Sequence, residues 1–597
     1  MPIFALFFKL LKSLIPENFQ YFSFWYLICF YLQLFFSFKI LKKFTNSVSF
    51  SLIGSLFFLI TPIFIYRIDY HVGLSGQWIL LFTLYLGLTH KIDKSQLSWI
   101  FLVTLSSLIF LYFTVVIIAV YSVLRIFNFY FKKENLIKVI KDFFIIGSVL
   151  LLTLYIAGYF EIRVADSLNT GFGKYKLNLL SIFDPVNLNN KVSWSWFLPD
   201  IKLPAGDEVE GFNYFGLGQW TMYLFALILF LNKNYKTNLF SIKNNKEIKI
   251  FILISFLITC WSLSNQISFG SHILLDIPLN KYILAAFSIF GATGRLFWIV
   301  NYFLLILSII IIYQCFKEKN SLLIITLFLV IQISDISAGL KNYINAFTPR
   351  EETIIKKNQI WDNLFKKYKI LKTTYPISWS GYFTSFSYLM EKHKIEKTNL
   401  VILARTNRKD AANARYSLYD NFRKKTLASD TVYVVHGIGH LRHLKYLFKN
   451  ENVGFFYRDN VWAMVMNEKE QMNDNDKKIF NEIKPKLLAI NEKKNLNFKD
   501  NDNYYGFGWS HNFGKLGMWS EGPMSTLFFR TDKNYGDLKL EIFCKPYITK
   551  KNNTLEFDTY VNNLFNKNIK LANNNQDEKF EILVNKELIK NNEIKID

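Results

Sequence analysis

The fold is decided by charge-free apolar stretches such as IVNYFLLILSIIIIY at residues 299–313. Similar stretches occupy residues 48–66 and 143–159. Because a transmembrane helix needs about 20 mainly apolar residues, they predict a polytopic membrane protein. The full pattern predicts about ten spans, near residues 19–42, 48–66, 74–90, 97–112, 113–131, 139–159, 217–232, 248–265, 296–316 and 321–338.

The connections between these spans differ on the two sides of the membrane. One side has short Lys-rich turns: Lys42-Lys43, His90 to Lys94, Lys132-Lys133 and Lys317 to Lys319. Basic turns stay cytoplasmic, so we predict that the longer connections face outward: residues 67–73, 161–217, 265–295 and all that follow 336. Residues 1–16 are predicted as an amphipathic helix lying in the membrane interface.

The composition argues against a nucleic-acid-binding protein and against a disulfide framework. Hydrophobic residues make up 51% of the chain and aromatic residues 18%, and the formal net charge is +24. Part of that charge lies in the cytoplasmic turns, and no compact Arg/Lys stripe accompanies a nucleic-acid fold motif, so we expect no nucleic-acid partner. The four cysteines form no CxxC pattern or disulfide framework.

The chain changes character near residue 345. Residues 1–344 form the predicted transmembrane domain, and residues 345–597 contain short apolar strands separated by Gly, Asn and Asp. This pattern predicts a helical polytopic domain followed by a mainly β, sandwich-like extracytoplasmic module. His436, His440 and His443 could offer imidazoles to a metal. The glycines among them indicate a turn after a strand, and no carboxylate or cysteine joins them, so no metal site is predicted there.

Arg67, Asp69 and His71 follow directly on a predicted span. A guanidinium suits bidentate contact with a phosphate, and Asp69 or His71 could take a proton or hold a divalent metal. The alternative is structural: Arg67 extends its charge to the interface and His71 caps the turn.

Arg295 lies in a second candidate site, GATGRLFW at residues 291–298. Its two glycines precede a span whose N-terminus presents unpaired amides, an arrangement that favours an anion such as a lipid-linked phosphate. The alternative is an interface anchor formed with Phe297 and Trp298.

Glu208 and Glu210 end the long outward loop and precede the aromatic stretch GFNYFG at residues 211–216. Carboxylates accept hydrogen bonds from sugar hydroxyls, and aromatic rings stack on apolar sugar faces. A solvated acidic loop is the alternative.

Four motifs in residues 2–340 carry a family resemblance: Arg67-x-x-x-His71 with Trp78 after it, residues 210–216, Gly294-Arg295-Leu-Phe-Trp298 and Gln332-x-x-Asp335. They resemble an uncharacterised bacterial family of polytopic proteins assigned to the GT-C type of glycosyltransferase. Residues 410–412, 508–510 and 517–522 are similar to that family's outward module. Relative to the GT-C pattern the chain begins at the interfacial helix. We therefore expect the first span and first outward loop, which usually carries the catalytic acid, to be missing from it.

The resemblance implies transfer of a sugar from a polyprenyl-phosphate donor to an envelope glycan or lipid-linked acceptor, on the outer face of the bacterial inner membrane. Arg67 and Arg295 would hold the donor phosphate, and Asp69 or His71 would assist deprotonation of the acceptor. Glu208, Glu210 and Trp78 would contact substrate, and the metal requirement stays open. The rival readings are a lipid-linked glycan flippase or other transporter, and a non-catalytic envelope protein that binds glycan. Scarce intramembrane charge argues against a transporter.

Overall fold

The chain folds as two compact units, Met1–Pro349 and Arg350–Asp597. The computed structural model describes residues 1–16, 19–132, 134–161, 171–187, 192–235, 237–347, 359–377, 382–401, 408–491, 504–510, 518–521, 523–546, 554–572, 578–589 and 592–597.

The first unit is helical. Its described α-helices are α1 (Pro2–Leu10), α2 (Phe22–Thr45), α3 (Val48–Leu59), α4 (Pro62–Tyr70), α5 (Trp78–Thr89), α6 (Gln96–Ile109), α7 (Leu111–Lys132), α8 (Leu136–Ile156), α9 (Ala205–Val209), α10 (Leu217–Leu231), α11 (Phe240–Asn244), α12 (Lys246–Leu263), α13 (Lys281–Ser288), α14 (Trp298–Cys315) and α15 (Glu318–Phe347). Two antiparallel strand pairs lie in the connections: β1 (Val186–Asn187) with β2 (Val192–Ser193), and β3 (Gln266–Phe269) with β4 (His272–Asp276).

Each of the ten predicted spans contains a helix, but not every helix is long enough to cross a membrane. Within the described residues six helices are long and apolar enough, or seven if the bent pair α3 and α4 counts as one span. Helices α6 and α10 have only 14 and 15 residues. The structure therefore confirms a multi-pass helical unit, and the prediction of about ten spans is confirmed only to that extent.

Pro62 separates α3 from α4 and so positions the first candidate site. Proline lacks a backbone N–H and is tolerated in the first turn of a helix, and α4 begins at Pro62. The chain bends by 54° at this break. Arg67 consequently lies in the last turn of a short, redirected helix rather than at the end of a straight span.

Asp335 on α15 holds the end of the long loop. Its carboxylate is fully buried and accepts hydrogen bonds from the Tyr214 hydroxyl at 2.6 Å and the Leu217 backbone N–H at 2.9 Å. The Ser195 hydroxyl also donates to it. A buried carboxylate is tolerated only when such donors compensate its lost hydration, and these donors all come from the loop. Asp335 thereby fastens the loop to the last helix of the unit.

Gln332 repeats this arrangement one turn earlier on α15. Its side chain donates to the Phe215 carbonyl at 2.9 Å and accepts from the Gln219 backbone N–H at 2.9 Å. Gly218 allows this close approach, since a Cβ there would lie 2.5 Å from the backbone nitrogen of Gln332 and 2.5 Å from the Phe328 carbonyl oxygen.

The second unit begins with a mixed α/β layer. Strands β5 (Ile370–Thr373), β6 (Lys397–Thr398), β7 (Thr431–Val435), β8 (Val453–Arg458) and β9 (Val461–Met466) form a sheet of order β6-β5-β7-β9-β8, in which β5 is parallel to both β6 and β7. Its described helices are α16 (Gln359–Lys367), α17 (Tyr382–Lys392), α18 (Arg408–Lys424), α19 (Gly437–Leu447) and α20 (Asp474–Glu482).

Antiparallel sheets follow in the rest of this unit. Strands β10 (Leu527–Arg530), β11 (Leu538–Cys544), β12 (Leu555–Val561), β13 (Leu564–Leu571), β14 (Glu578–Val584) and β15 (Glu593–Ile596) form sheets of order β10-β15-β12-β13 and β11-β14. Val561, Ile582 and Ile594 share one buried cluster between them. The predicted strands are confirmed here. A sandwich for the whole region is not confirmed, because residues 359–482 alternate helices with strands.

We expect Gly218→Ala to destabilise the first unit. The added methyl meets backbone atoms of α15 that cannot rotate away, and overpacking of this kind costs about 1–3 kcal/mol. Thermal unfolding of the detergent-solubilised protein should show a melting temperature several degrees lower. Gly147→Ala is the matched control, because a Cβ at that position of α8 meets nothing within 4 Å and alanine favours a helix. Equal melting temperatures for the two variants would contradict the packing described.

Candidate functional site

One carboxylate joins the two arginines that the sequence placed in separate sites. The Glu210 Oε2 atom lies 2.9 Å from Arg67 Nη2 and 2.6 Å from Arg295 Nη2. Arg295 Nε also donates to the same oxygen at 2.8 Å. Residues 67, 210 and 295 are far apart in the chain, and the fold brings them into one cluster, called here the Glu210 cluster.

Three short elements deliver these side chains. Arg67 comes from α4, Glu210 directly follows α9, and Arg295 lies in a 3-10 turn, Thr293–Phe297, that leads into α14. The chain can come this close because of glycines. A Cβ on Gly294 would lie 2.6 Å from the Gly211 Cα, and a Cβ on Gly211 would lie 2.0 Å from the Lys176 carbonyl oxygen.

Aromatic rings surround both guanidinium groups. The Arg67 Cζ atom lies 4.5 Å from the centroid of Tyr66 and 5.3 Å from that of Trp298. Arg295 lies 4.9 Å from the ring of Tyr112. Arginine stacks on aromatic faces at low cost because its guanidinium is weakly hydrated. The rings cover the flat faces of the guanidinium groups and leave their N–H edges to donate hydrogen bonds.

The electrostatics of the cluster keep Glu210 ionised. Burial by itself would raise the pKa of this carboxyl, but the charges of Arg67 and Arg295 outweigh it and hold the pKa well below its usual range. A carboxylate with so low a proton affinity is a poor general base. The two guanidinium groups and one carboxylate together carry a formal charge of +1.

Access to the cluster is from the side of His71. Arg67 is 0% exposed and Arg295 9%, whereas the side chain of His71 is 39% exposed. The His71 Nε2 atom lies 3.8 Å from Glu210 Oε1. The side chain of Asp69, the other predicted acid–base group, lies outside the described residues. A phosphate contact by Arg67 or Arg295 and proton transfer by Asp69 or His71 stay predictions.

Arg67 retains unused hydrogen-bonding capacity. Its Nη2 atom donates to Glu210, but no described residue accepts a hydrogen bond from its buried Nε and Nη1 atoms. Buried donors without partners are rare and costly.

Glu208 and Trp78 lie in different surroundings from Glu210. Glu208 is 5% exposed, and its Oε1 atom accepts from the Leu203 backbone N–H at 2.8 Å. Trp78 is 4% exposed and stacks on Phe36, with ring centroids 6.1 Å apart. Both contacts are structural, and a substrate contact by either residue stays a prediction.

Asp184 is a second carboxyl of the long loop whose pKa the fold shifts strongly, and its local sequence contains no sign of this. It is buried, and its Oδ1 atom accepts from the backbone N–H groups of Val186 at 3.2 Å and Ile201 at 3.3 Å. Burial raises the pKa of Asp184 to about 7, and the charges of Asp200 and Glu208 act in the same direction. Only folding brings these groups together, so no local motif marks the position.

Of the three histidines considered above as metal ligands, His440 and His443 are buried in the second unit. The Thr374 hydroxyl bonds to His440 Nδ1 at 2.9 Å, and His443 Nδ1 accepts from the Phe507 backbone N–H at 3.1 Å. Burial, with the charge of Arg415 as the smaller cause, lowers the pKa of His436 to about 4. Among the described residues no group of three or more His, Cys, Asp or Glu side chains could hold a metal ion.

Comparison with protein families decides the membership of the chain. A family model described as Domain of unknown function (DUF6311) matches residues 1–337. The chain belongs to this family. All members of the Glu210 cluster, and the loop anchor Asp335, lie within the DUF6311 match. No curated protein and no solved structure matches the chain.

We expect Glu210→Gln to destabilise this DUF6311 protein strongly. The amide keeps the volume but leaves two buried guanidinium groups without a counter-charge, and breaking a buried pair costs about 3–5 kcal/mol. Thermal unfolding in detergent measures the loss. Glu208→Gln is the control, since its amide oxygen can still accept from Leu203. The assignment fails if both variants unfold at the same temperature.

The stability of the protein should depend on pH through Asp184. Unfolded aspartate titrates near about 3.9, whereas the folded carboxyl keeps its proton up to about 7. The raised pKa means that stabilisation by the protonated form is complete below the unfolded pKa and is lost as pH rises through about 7. Asp184→Asn mimics that form at every pH. Its melting temperature, minus that of the wild type, should therefore grow from pH 5 to pH 7 and then level off. A constant difference would exclude this role.

Proposed function

We propose that the chain is an inverting, lipid-phosphate-dependent glycosyltransferase of the GT-C type. The observation that carries this proposal is the Glu210 cluster, in which Arg67, Glu210 and Arg295 meet beside the partly exposed His71 at the ends of membrane helices. The donor would be a polyprenyl-phosphate-linked sugar, and the acceptor an envelope glycan or lipid-linked glycan.

The charge of the cluster supports a phosphate ligand. One positive charge is left after Glu210 is counted, and a phosphate would compensate it at the bilayer surface, where an uncompensated buried charge is costly. Arg295 lies just before α14, whose N-terminus carries the positive end of the helix dipole. A phosphate on a lipid carrier would arrive at this depth without leaving the membrane.

The reaction assigns distinct roles to the neighbouring side chains. An acceptor hydroxyl oxygen attacks the anomeric carbon of the donor, the bond from that carbon to the phosphate oxygen breaks, and the lipid phosphate leaves with the electron pair. The hydroxyl proton passes to His71 or Asp69. Glu210 is too weak a base for this step because of its low pKa, so it holds the arginines in place. Glu208 and Trp78 are proposed to contact substrate.

The orientation of the chain follows from its basic turns. The Lys-rich turns would be cytoplasmic, so that the Glu210 cluster and the second unit face outward from the bacterial inner membrane. We further propose that all ten helical segments cross the bilayer and that the sheets of residues 527–596 pack as a sandwich. The second unit would guide the acceptor glycan.

The rival functions gain less support from the described residues. A transporter would use intramembrane charge as a relay, but Asp335 is occupied by donors from the loop. The groove between α7 and α12, about 260 Å³, is lined by apolar side chains such as Ile258 and Trp261. A purely glycan-binding protein would not need two buried arginines around one carboxylate at the membrane surface.

We expect Arg295→Gln to weaken binding of a lipid phosphate. The probe is farnesyl phosphate, titrated into the full chain in nanodiscs and followed by native mass spectrometry. Loss of one charge-assisted hydrogen bond is worth about 1.5–3 kcal/mol, so the affinity should fall at least about tenfold. His71→Gln should leave this affinity nearly unchanged but slow the release of polyprenyl phosphate from polyprenyl-phosphate hexoses.

Lys319→Gln is the matched control. It removes one positive charge from an exposed Lys-rich turn remote from the cluster and should bind farnesyl phosphate as the wild type does. If folded Arg295→Gln protein binds the probe and turns over donor like the control, the proposed function is wrong. If the wild-type protein turns over no polyprenyl-phosphate hexose at all, the glycan-binding alternative is favoured.

A further inference from the structure

We propose that β3, β4 and α13 together form a membrane-docking element that lies in the bilayer interface without spanning it. The element comprises Gln266–Phe269, His272–Asp276 and Lys281–Ser288. It follows α12 and precedes Arg295, and its occupant is the lipid bilayer itself. This inference does not depend on the proposed enzymatic activity.

Strand β4 exposes apolar side chains on both of its faces, whereas β3 is held against the first unit, where Ser268 is buried. Every residue of β4 is exposed, and the exposed fractions of Ile273 and Leu274, which point to opposite faces, are 56% and 62%. An isolated two-stranded hairpin is marginal in water even with one face buried. Lipid contact would cover these side chains, which the first unit leaves open.

Helix α13 continues the same apolar surface. Tyr282 is 73% exposed, and Ile283 and Ile289 are each close to half exposed. Lys281 at the start of α13 is the only charged residue between Asp276 and Arg295. Exposed apolar area of this extent marks an interaction surface, and the continuity of the element with the membrane helices identifies the surface as lipid.

The depth of the element follows from its backbone. The backbone N–H of Leu179 donates to the Ser268 carbonyl oxygen at 3.0 Å and so covers part of the outer edge of β3. The outer edge of β4 has no partner strand among the described residues, and unpaired N–H and C=O groups cannot lie in the hydrocarbon core. In the interface, water and head groups satisfy that edge while apolar side chains reach the acyl boundary. Asp276 and Lys281, near the turn between β4 and α13, would then remain among the head groups.

Aromatic contacts connect the element to the rest of the unit. Phe287 stacks on Phe172, with centroids 5.2 Å apart, and Phe290 meets Tyr112 edge-on at 5.4 Å. Tyr112 also carries the Arg295 guanidinium on its ring face. The element is thus fixed beside the Glu210 cluster, and it sets the height of that cluster relative to the lipid surface.

The test places a fluorescent label at residue 274. Leu274→Cys is made in a background with Cys260→Ser and Cys544→Ser, labelled with NBD, and the full chain is reconstituted in nanodiscs. Phosphatidylcholine with a doxyl group at carbon 5 or carbon 12 of its acyl chain reports depth, and aqueous iodide reports water contact. We expect blue-shifted emission that the 5-doxyl lipid quenches at least about twice as strongly as the 12-doxyl lipid, with little effect of iodide.

Control positions make each outcome decisive. Lys319→Cys in the same background should be quenched by iodide, and Ile283→Cys on α13 repeats the measurement if the label at 274 perturbs folding. Iodide quenching at both 274 and 283 would overturn the proposal. Protection from iodide and from both lipids would also overturn it, because a protein surface would then cover the element. Stronger quenching by the 12-doxyl lipid would mean a deeply inserted segment and would contradict the interfacial placement.

Discussion

The ion pairing of one carboxylate with two arginines is the interaction on which the candidate site depends. Arg67 and Arg295 come from elements that precede different spans, and either guanidinium buried alone would carry a desolvation penalty of several kcal/mol. Glu210 forms an ion pair with each of them through a single oxygen. The carboxylate therefore fixes the relative positions of α4, the long loop and α14, and its own charge is fixed by them.

A second constraint explains how Glu210 is held at that place. The loop that carries it must satisfy its backbone groups next to apolar helices, where few waters are available. Asp335 and Gln332 supply the needed partners from α15, and Gly218 permits the backbone to approach. Polar residues inside the last span thus serve the architecture of the loop. This is why an intramembrane carboxylate here need not signal transport.

Much of the helical fold could be predicted from the sequence, since apolar runs and lysine turns are local signals. All ten predicted segments contain helices, but α6 and α10 are shorter than a full span. In the second unit β7, β8, β11, β12 and β14 were predicted as strands, whereas the other described strands and the helices α17 to α20 were not. Gly437 and Gly439 suggested a loop, yet they lie in the first turn of α19, directly after β7. Glycine weakens a helix only modestly, and packing against the sheet overrides that preference.

The sequence by itself determined that this is a multi-pass membrane protein, because long apolar runs are local signals. It also marked Arg67, Glu210 and Arg295 as candidate site residues, because charged residues beside apolar spans are costly and can be read directly from the sequence. Only the tertiary structure decided what they do to one another. Glu210 was predicted as a sugar contact, which stays a prediction, and the fold makes it the shared partner of both arginines. Asp184 was not marked at all, since its proton affinity comes from burial. Both facts arise from distances between residues remote in the chain, and such distances exist only after folding.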